Sequence, residues 1–295
     1  MISLGYFGDG PWAINAFKRI EADSEIQIRF VCPRHDTPDL DLCNMARDAD
    51  VPILNHPNIN SPDFLSTVRG LKCDLFVSMS FDQIFKADIL SIPPLKTINC
   101  HAGKLPFYRG RNVLNWVLIN DEKEFGITVH YIDKGIDTGD IIAQECHPIF
   151  DKDNYATLLE KAYTGCGDLL YNAIKTIESG SVKTIKQVDV HPVGTYYGRR
   201  MMGDEILEWN QTSREIYNFI RALCPPGPMA RSFLGGREVS IAEARLIPEA
   251  PRYRCIPGQV VGKSASGIIV KTLDTTIELV DYHYQGTIKI GDRLN

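Results

Sequence analysis

Residues Thr97 to Gln144 read TINCHAGKLPFYRGRNVLNWVLINDEKEFGITVHYIDKGIDTGDIIAQ. The stretch opens on a short apolar run that carries Asn99, Cys100 and His101, and closes on Asp137-Thr138-Gly139-Asp140 and a second apolar run, Ile141-Ile142-Ala143. Acyl transfer to an amine needs an amide, an imidazole and a carboxylate. The amide donates to a developing oxyanion. The imidazole polarises the carbonyl or moves a proton. The carboxylate fixes the imidazole and balances its charge. In an extended segment neighbouring side chains point to opposite faces. Asn99 and His101 then share a face, and Cys100 is expected in the core on the other. Between the two ends, Leu105-Pro106-Phe107-Tyr108-Arg109-Gly110-Arg111 joins two guanidinium groups to an aromatic pair, a turn-setting Pro and a permissive Gly.

The order Asn-x-His, then LPxYRGR, then DTGDI resembles the folate-dependent formyltransferases: methionyl-tRNA formyltransferase, glycinamide ribonucleotide transformylase and the sugar N-formyltransferases. The likeness is dense over Thr97–Gln144 and thinner, but collinear, over most of the remainder. HAGKLPFYRGRNVLNW is most similar to enzymes that formylate nucleotide-linked amino sugars. The resemblance implies Asn99, His101 and Asp137 as the catalytic residues. Asp137 is preferred to Asp140 because it precedes Thr138-Gly139. It also implies an α/β fold with a Rossmann-like doubly wound sheet and a small C-terminal β-rich, open-barrel-like domain.

Upstream, Ile2–Phe7 is an apolar run followed by Gly8-Asp9-Gly10-Pro11-Trp12 and by helical spacing over Ala13–Ile20. Strand, glycine-rich turn and helix begin a doubly wound α/β domain. G-x-G-x-x-G is absent, so no NAD site is inferred; Gly8, Asp9, Gly10 and Trp12 are candidate contacts to a diphosphate or sugar, with a plain tight turn as the alternative. Ile26–Cys32 reads as a second strand. The loop after it carries Asp36, Asp39 and Asp41 against Arg34, whereas the resembling tRNA enzymes look basic there. Leu42–Asp48 and Ser61–Arg69 read as helices, the latter with Ser61 as cap and Pro62 at its first position; Val51–Leu54 reads as a short strand.

Cys73–Ser78 reads as a buried strand leading into Ser80, Phe81, Asp82, Gln83 and Ile84. By resemblance this segment, with Asp133, Gly135 and Ile136 of the loop after strand Gly126–Ile132, holds the pterin of 10-formyltetrahydrofolate through its backbone. Lys96–Cys100 is the strand that delivers the catalytic pair, Asn112–Asn120 a helix with Val113, Trp116 and Val117 on one face, Ile141–Phe150 a strand, and Asn154–Glu178 a long amphipathic helix buried along Leu158, Ala162, Leu169, Ala173 and Ile177. His191–Arg200 is expected to be extended.

A domain boundary is expected near residue 203, giving a catalytic domain over 1–203 and a β-rich domain over 204–295. Thr212 and Glu215 form a capping-box pattern ahead of helix Ser213–Leu223. Short runs with Gly turns follow at Ser232–Leu234, Glu238–Arg245, Gly258–Lys263, Gly267–Leu273 and Thr276–Tyr284.

Hydrophobic content of 44% and charged content of 23% over 295 residues are those of an ordinary globular chain. No apolar run reaches membrane-span length. Met1–Phe7 lacks the positive region and cleavage site of a signal peptide. The eight cysteines form no C-x-x-C pair, so neither a zinc cluster nor any other metal is expected, and reduced thiols in a cytoplasm are. A net charge of −5 argues against a protein that grips a large nucleic acid.

The expected reaction is transfer of formyl from 10-formyltetrahydrofolate to a primary amine on a nucleotide-linked sugar, taken as a dTDP-4-amino-4,6-dideoxyhexose made for a bacterial surface polysaccharide. Methionyl-tRNA formyltransferase, a UDP-4-amino-pentose formyltransferase and a folate-binding sensor or scaffold are the alternatives. Lys104, Arg109, Arg111, Tyr217, Asn218 and Arg221 are candidate substrate contacts, each weighed against a structural salt bridge or packing role. The partners expected are folate and the sugar nucleotide, with no nucleic acid and no membrane, and with a homodimer left open.

Overall fold

The computed structural model describes residues 1–295. In chain order the elements are β1 (Ile2–Gly8), α1 (Gly10–Glu21), β2 (Ile26–Cys32), α2 (Leu40–Asp48), α3 (Pro62–Gly70), β3 (Leu75–Met79), α4 (Ala87–Leu90), β4 (Thr97–His101), β5 (Arg109–Gly110), α5 (Val113–Ile119), β6 (Glu124–Tyr131), β7 (Ile141–Pro148), α6 (Tyr155–Glu178), α7 (Gln187–Val190), β8 (Tyr196–Tyr197), α8 (Ser213–Leu223), β9 (Ala230–Leu234), β10 (Arg237–Leu246), β11 (Val260–Lys263), β12 (Ile268–Lys271) and β13 (Thr276–Tyr284). The chain packs into two units. The first holds Met1–Gly110, Phe125–His147 and Glu160–Tyr197; the second holds Arg111–Glu124, Pro148–Leu159 and Gly198–Asn295.

The first unit is α/β. Its sheet runs β2-β1-β3-β4-β6-β7, with β2, β1, β3 and β4 mutually parallel and β6 antiparallel to β4. A strand buried on both faces reads as a continuous apolar run, and β3 is buried at all five positions. Phe7, Phe30, Phe76 and Phe85 meet edge to face in this core, with ring centroids 4.9–5.9 Å apart. Strand order reverses between β1 and β3, and ligands of such sheets bind outside the carboxyl ends of the strands at that switch. Gly8 pairs with Met79, and Met79 with Cys100, so the turns after β1 and β3 and the end of β4 emerge on the same side. Along α6 the expected stripe Leu158, Ala162, Leu169, Ala173 and Ile177 is buried.

The second unit is built on an antiparallel five-stranded sheet, β11-β12-β13-β10-β9. Ile216, Ile220 and Leu223 of α8 enter a core shared with Val239, Ile241, Val260, Val270, Ile277 and Leu279. The capping box forms: Thr212 N donates to Glu215 Oε2 at 2.7 Å, and Glu215 N to Thr212 Oγ1 at 3.3 Å.

Three local expectations change. Val51–Leu54 is no strand; only Ile53 bridges, to Val31, because Pro52 beside it has no N–H to continue a ladder. Ser61 occupies the N-cap of α3 without a side-chain capping bond. Of His191–Arg200 only Tyr196 and Tyr197 pair, with Arg109 and Gly110, while His191 Nδ1 turns back to accept from Val193 N at 3.1 Å.

Candidate active site

β4 delivers the site. Asn99 and His101 are both partly exposed on one face, while Cys100 is 5% exposed on the other, its thiol 3.6 Å from the carbonyl of Cys166 in α6. Asp137 reaches them from the loop between β6 and β7. Its Oδ2 lies 3.7 Å from His101 Nδ1 and accepts the Gly110 N–H at 2.8 Å. Burial would raise this carboxyl, but the His101 and His130 rings and the Gly110 N–H outweigh it and hold Asp137 well below the usual carboxylate range. Nε2 of His101 lies 2.7 Å from the Tyr108 carbonyl. A carbonyl only accepts, so Nε2 carries a hydrogen and Nδ1 is the nitrogen that faces Asp137.

Two glycines make this approach possible. A Cβ on Gly103 would come within 2.5 Å of His101 Nε2, and one on Gly110, whose φ is +94°, would overlap the Tyr197 carbonyl oxygen. Asp137 itself has φ +53°, a left-handed conformation that a non-glycine residue keeps only where its surroundings hold it.

His130 belongs to the site and was not anticipated. It is 2% exposed and pairs with Asn99 across β4 and β6. Its Nδ1 lies 2.8 Å from the Tyr131 carbonyl, and its Nε2 lies 3.3 Å from Asn99 Nδ2 and 3.5 Å from Asp137 Oδ1. It lies on the β6 face of Gly126 and Thr128, opposite the apolar Phe125, Ile127 and Val129, so the strand's own pattern does not single it out.

The segments expected to bind folate lie next to this cluster in the first unit. Phe81 packs on Phe7 and Phe85, and Ile132 packs on the same core. Ile84 and Ile136 are 66% and 57% exposed. Ser80 O and Oγ receive Arg34, Ile84 O receives Asn60, and the Gln83 amide ties to Ile59 and His56. The N–H groups of residues 81–84 form no hydrogen bond within the protein. Asp82 is exposed. Asp133 Oδ1 takes Gly135 N at 3.0 Å and Thr138 Oγ1 at 2.5 Å, which shapes the turn. Backbone donors beside exposed apolar side chains suit a flat heterocycle with donors and acceptors along one edge.

Several expected substrate contacts are corrected. Arg109 is 9% exposed, and its guanidinium is spent on Gln187 Oε1, at 3.0 and 2.6 Å, and on Tyr196 OH at 3.1 Å. Asp9 is buried as a loop anchor that accepts Arg34 N and Asp39 N. Gly8 sits inside β1, where a Cβ would meet Ala13 and Met79. Within the second unit, Asn218 and Arg221 are 1% and 5% exposed. Arg221 Nε donates to Asn218 Oδ1, and its Nη1 to the Phe150 and Asp153 carbonyls. Tyr217 OH donates to Asp151 O. Tyr217 and Arg221, four residues apart, share a helix face, and both are engaged by carbonyls of the same unit. Gly10 has open space about its Cα, Trp12 packs edge to face on Tyr163, Lys104 is half-buried, and Arg111 is exposed.

A family profile described as formyl transferase matches residues 17–174, and its C-terminal-domain counterpart matches residues 202–291. Solved structures are similar in fold. WlaRD, a sugar 3N-formyl transferase solved in the presence of dTDP and 5-N-formyl-THF, is 25% identical with a TM-score of 0.72, over 95% of this chain and 97% of its own. An N-formyltransferase from Helicobacter canadensis, in complex with folinic acid and dTDP-3-aminofucose, is 24% identical with a TM-score of 0.74, over 95% and 99%. A 4-N formyltransferase from Francisella tularensis is 22% identical with a TM-score of 0.67, over 83% and 99%.

Proposed function

The chain belongs to the formyl transferase family, and on that premise we propose that it transfers formyl from 10-formyltetrahydrofolate to the primary amine of a nucleotide-linked amino sugar. The observation that carries the proposal is the convergence of Asn99, His101 and Asp137, with the carboxylate 3.7 Å from the imidazole. The similarity to sugar N-formyltransferases, one of them solved with dTDP and formyl-THF, supports the substrate class.

The folate is a co-substrate that supplies the formyl group. In this reading residues 81–84 offer it backbone donors, Ile84 and Ile136 cover its apolar faces, and Asp133 and Gly135 shape the turn. Asn99 donates an amide N–H to the oxygen on which charge develops. His101 exchanges the Tyr108 carbonyl for the same oxygen as its acceptor. In the resting protein Asp137 is ionised and holds the His101 ring. It takes the proton from the attacking amine directly or through water and passes it to the folate nitrogen that leaves as the formyl C–N bond breaks, which returns Asp137 to its ionised form. Donors of this kind are worth roughly 3–4 kcal/mol each, about a hundred- to a thousandfold in rate. No covalent intermediate on the protein is required, since the amine is itself the nucleophile. Lys104 is the proposed acceptor phosphate contact, with Gly10 and Trp12 near the sugar. Residues 1–203 carry this chemistry and 204–295 form the β-rich domain.

The acceptor proposed is a dTDP-4-amino-4,6-dideoxyhexose, formylated in the cytoplasm for a bacterial surface polysaccharide. The test offers labelled 10-formyltetrahydrofolate with a panel of dTDP- and UDP-linked amino sugars and, in parallel, methionyl-tRNA, at physiological salt. Formylation of a sugar nucleotide with the tRNA unlabelled is expected. Efficient labelling of tRNA with every sugar nucleotide inert overturns the substrate class and leaves formyl transfer standing.

A further inference from the structure

Gln187 opens the short helix α7 and is 3% exposed, yet no feature of the sequence ties it to the reaction. Its amide nitrogen donates to the backbone carbonyls of Asp137 and Gly139, each at 2.8 Å. Its amide oxygen accepts both Nε and Nη2 of Arg109, at 3.0 and 2.6 Å. A primary amide has two donor hydrogens and an oxygen with two lone pairs, so this side chain is fully used. Arg109 precedes Gly110, whose N–H holds Asp137 Oδ2 at 2.8 Å. The contacts close a ring: carboxylate of Asp137, Gly110, Arg109, Gln187, and back to the carbonyl of Asp137. One end of the ring grips the catalytic oxygen, and the other grips the backbone that keeps Asp137 at φ +53°.

We propose that Gln187 is a positioning residue for the catalytic carboxylate, acting through Arg109 and the backbone of Asp137 and Gly139; this rests on formyl transfer being the reaction. The alternative chemistry at this position is informative. Glutamate keeps the shape and both acceptors for Arg109, but it has no hydrogen to give the two carbonyls and sets its charge against them. Leucine removes both halves of the bridge. Because the bridge touches neither substrate, its loss is felt in turnover, where Asp137 must stand in line with His101, and not in binding.

The experiment is a mutant cycle on the full chain with Gln187→Glu, Gln187→Leu, Asp137→Asn and the two double variants. Each single Gln187 variant is expected to lower kcat roughly tenfold or more while KM for folate and for the acceptor stays within about twofold. In the Asp137→Asn background the same changes are expected to cost almost nothing further, because the group they position is gone. A general packing role would instead give equal losses in both backgrounds. The proposal is overturned by wild-type kcat in a folded Gln187→Glu variant, or by additive losses in the cycle. If Gln187→Leu does not fold, Gln187→Glu and its double variant decide alone. Failure of the wild-type protein to formylate any amine removes the reaction itself, a separate result from an active wild type with indifferent Gln187 variants.

Discussion

Asn99 and His130 face each other as register partners across β4 and β6, with Asn99 Nδ2 3.3 Å from His130 Nε2. His130 Nδ1 is committed to the Tyr131 carbonyl at 2.8 Å, and its Nε2 also lies 3.5 Å from Asp137 Oδ1. The ring thus fixes the Asn99 side chain beside Asp137. His130→Ala should free that amide. Losing a hydrogen bond of this kind costs about 0.5–1.5 kcal/mol, roughly two- to tenfold in turnover. Steady-state kinetics on a folded His130→Ala variant check this; unchanged kcat would detach His130 from the reaction.

His101→Ala and Asp137→Ala should each lower turnover by at least about a hundredfold with little change in melting temperature. Near wild-type turnover of either purified variant removes that residue from the mechanism.

The charge state of Asp137 gives a separate signature. Since His101, His130 and the Gly110 N–H hold its carboxyl well below the usual range, it is ionised at every pH above about 4, the ordinary value for an aspartate. Any acid limb in kcat/KM above about pH 5 therefore belongs to another group. Asp137→Asn should lower the plateau of the profile and leave the position of that limb unmoved; a limb that disappears with the carboxylate would contradict the low value.

Cys100 is buried, with its thiol 3.6 Å from the Cys166 carbonyl and directed away from its two neighbours in the chain. Cys100→Ala should keep most of the activity and lose about 1–2 kcal/mol of stability, as a small core truncation does. Thermal melts and turnover on one preparation test both halves, and a folded but inactive variant would give the thiol a chemical role.

The sequence was legible where the physics is local. The apolar runs of β1 to β4 and the alternation across Asn99, Cys100 and His101 follow from residues a few places apart, as does the Thr212–Glu215 box. What could not be read depends on distant partners. Arg109 looks like a phosphate contact until Gln187, far along the chain, occupies its guanidinium. Tyr217 and Arg221 share a helix face as their spacing demands, but spacing does not say whether that face meets solvent or the carbonyls of Asp151, Phe150 and Asp153. His130 was hidden for the same reason: its role is fixed by register with β4, which no local pattern encodes.

In the second unit, Asp121 concentrates opposing charge. Its Oδ1 receives Arg214 Nη2 at 2.5 Å and Nε at 3.0 Å, with Lys123 Nζ at 3.2 Å and Arg221 Nη2 at 3.6 Å. Burial pushes its carboxyl up, but the Arg214 and Lys123 contacts prevail and bring it from 3.8 down to about 2. A carboxyl with a lower value in the folded state releases its proton more readily there than in the unfolded chain. Its contribution to stability is complete above about pH 4 and is lost as pH falls through about 2. The side chain is 37% exposed, so solvent screening limits the contribution to about 1 kcal/mol or less. Asp121→Asn should lower Tm at neutral pH by roughly 2–4 °C at most, and the gap from wild type should close as the pH approaches 2. Thermal scans of both proteins from neutral pH into this acid range give the difference directly, since every other carboxyl is common to the two. Curves that stay parallel throughout would show that the Asp121 carboxylate is not what Arg214 and Lys123 stabilise.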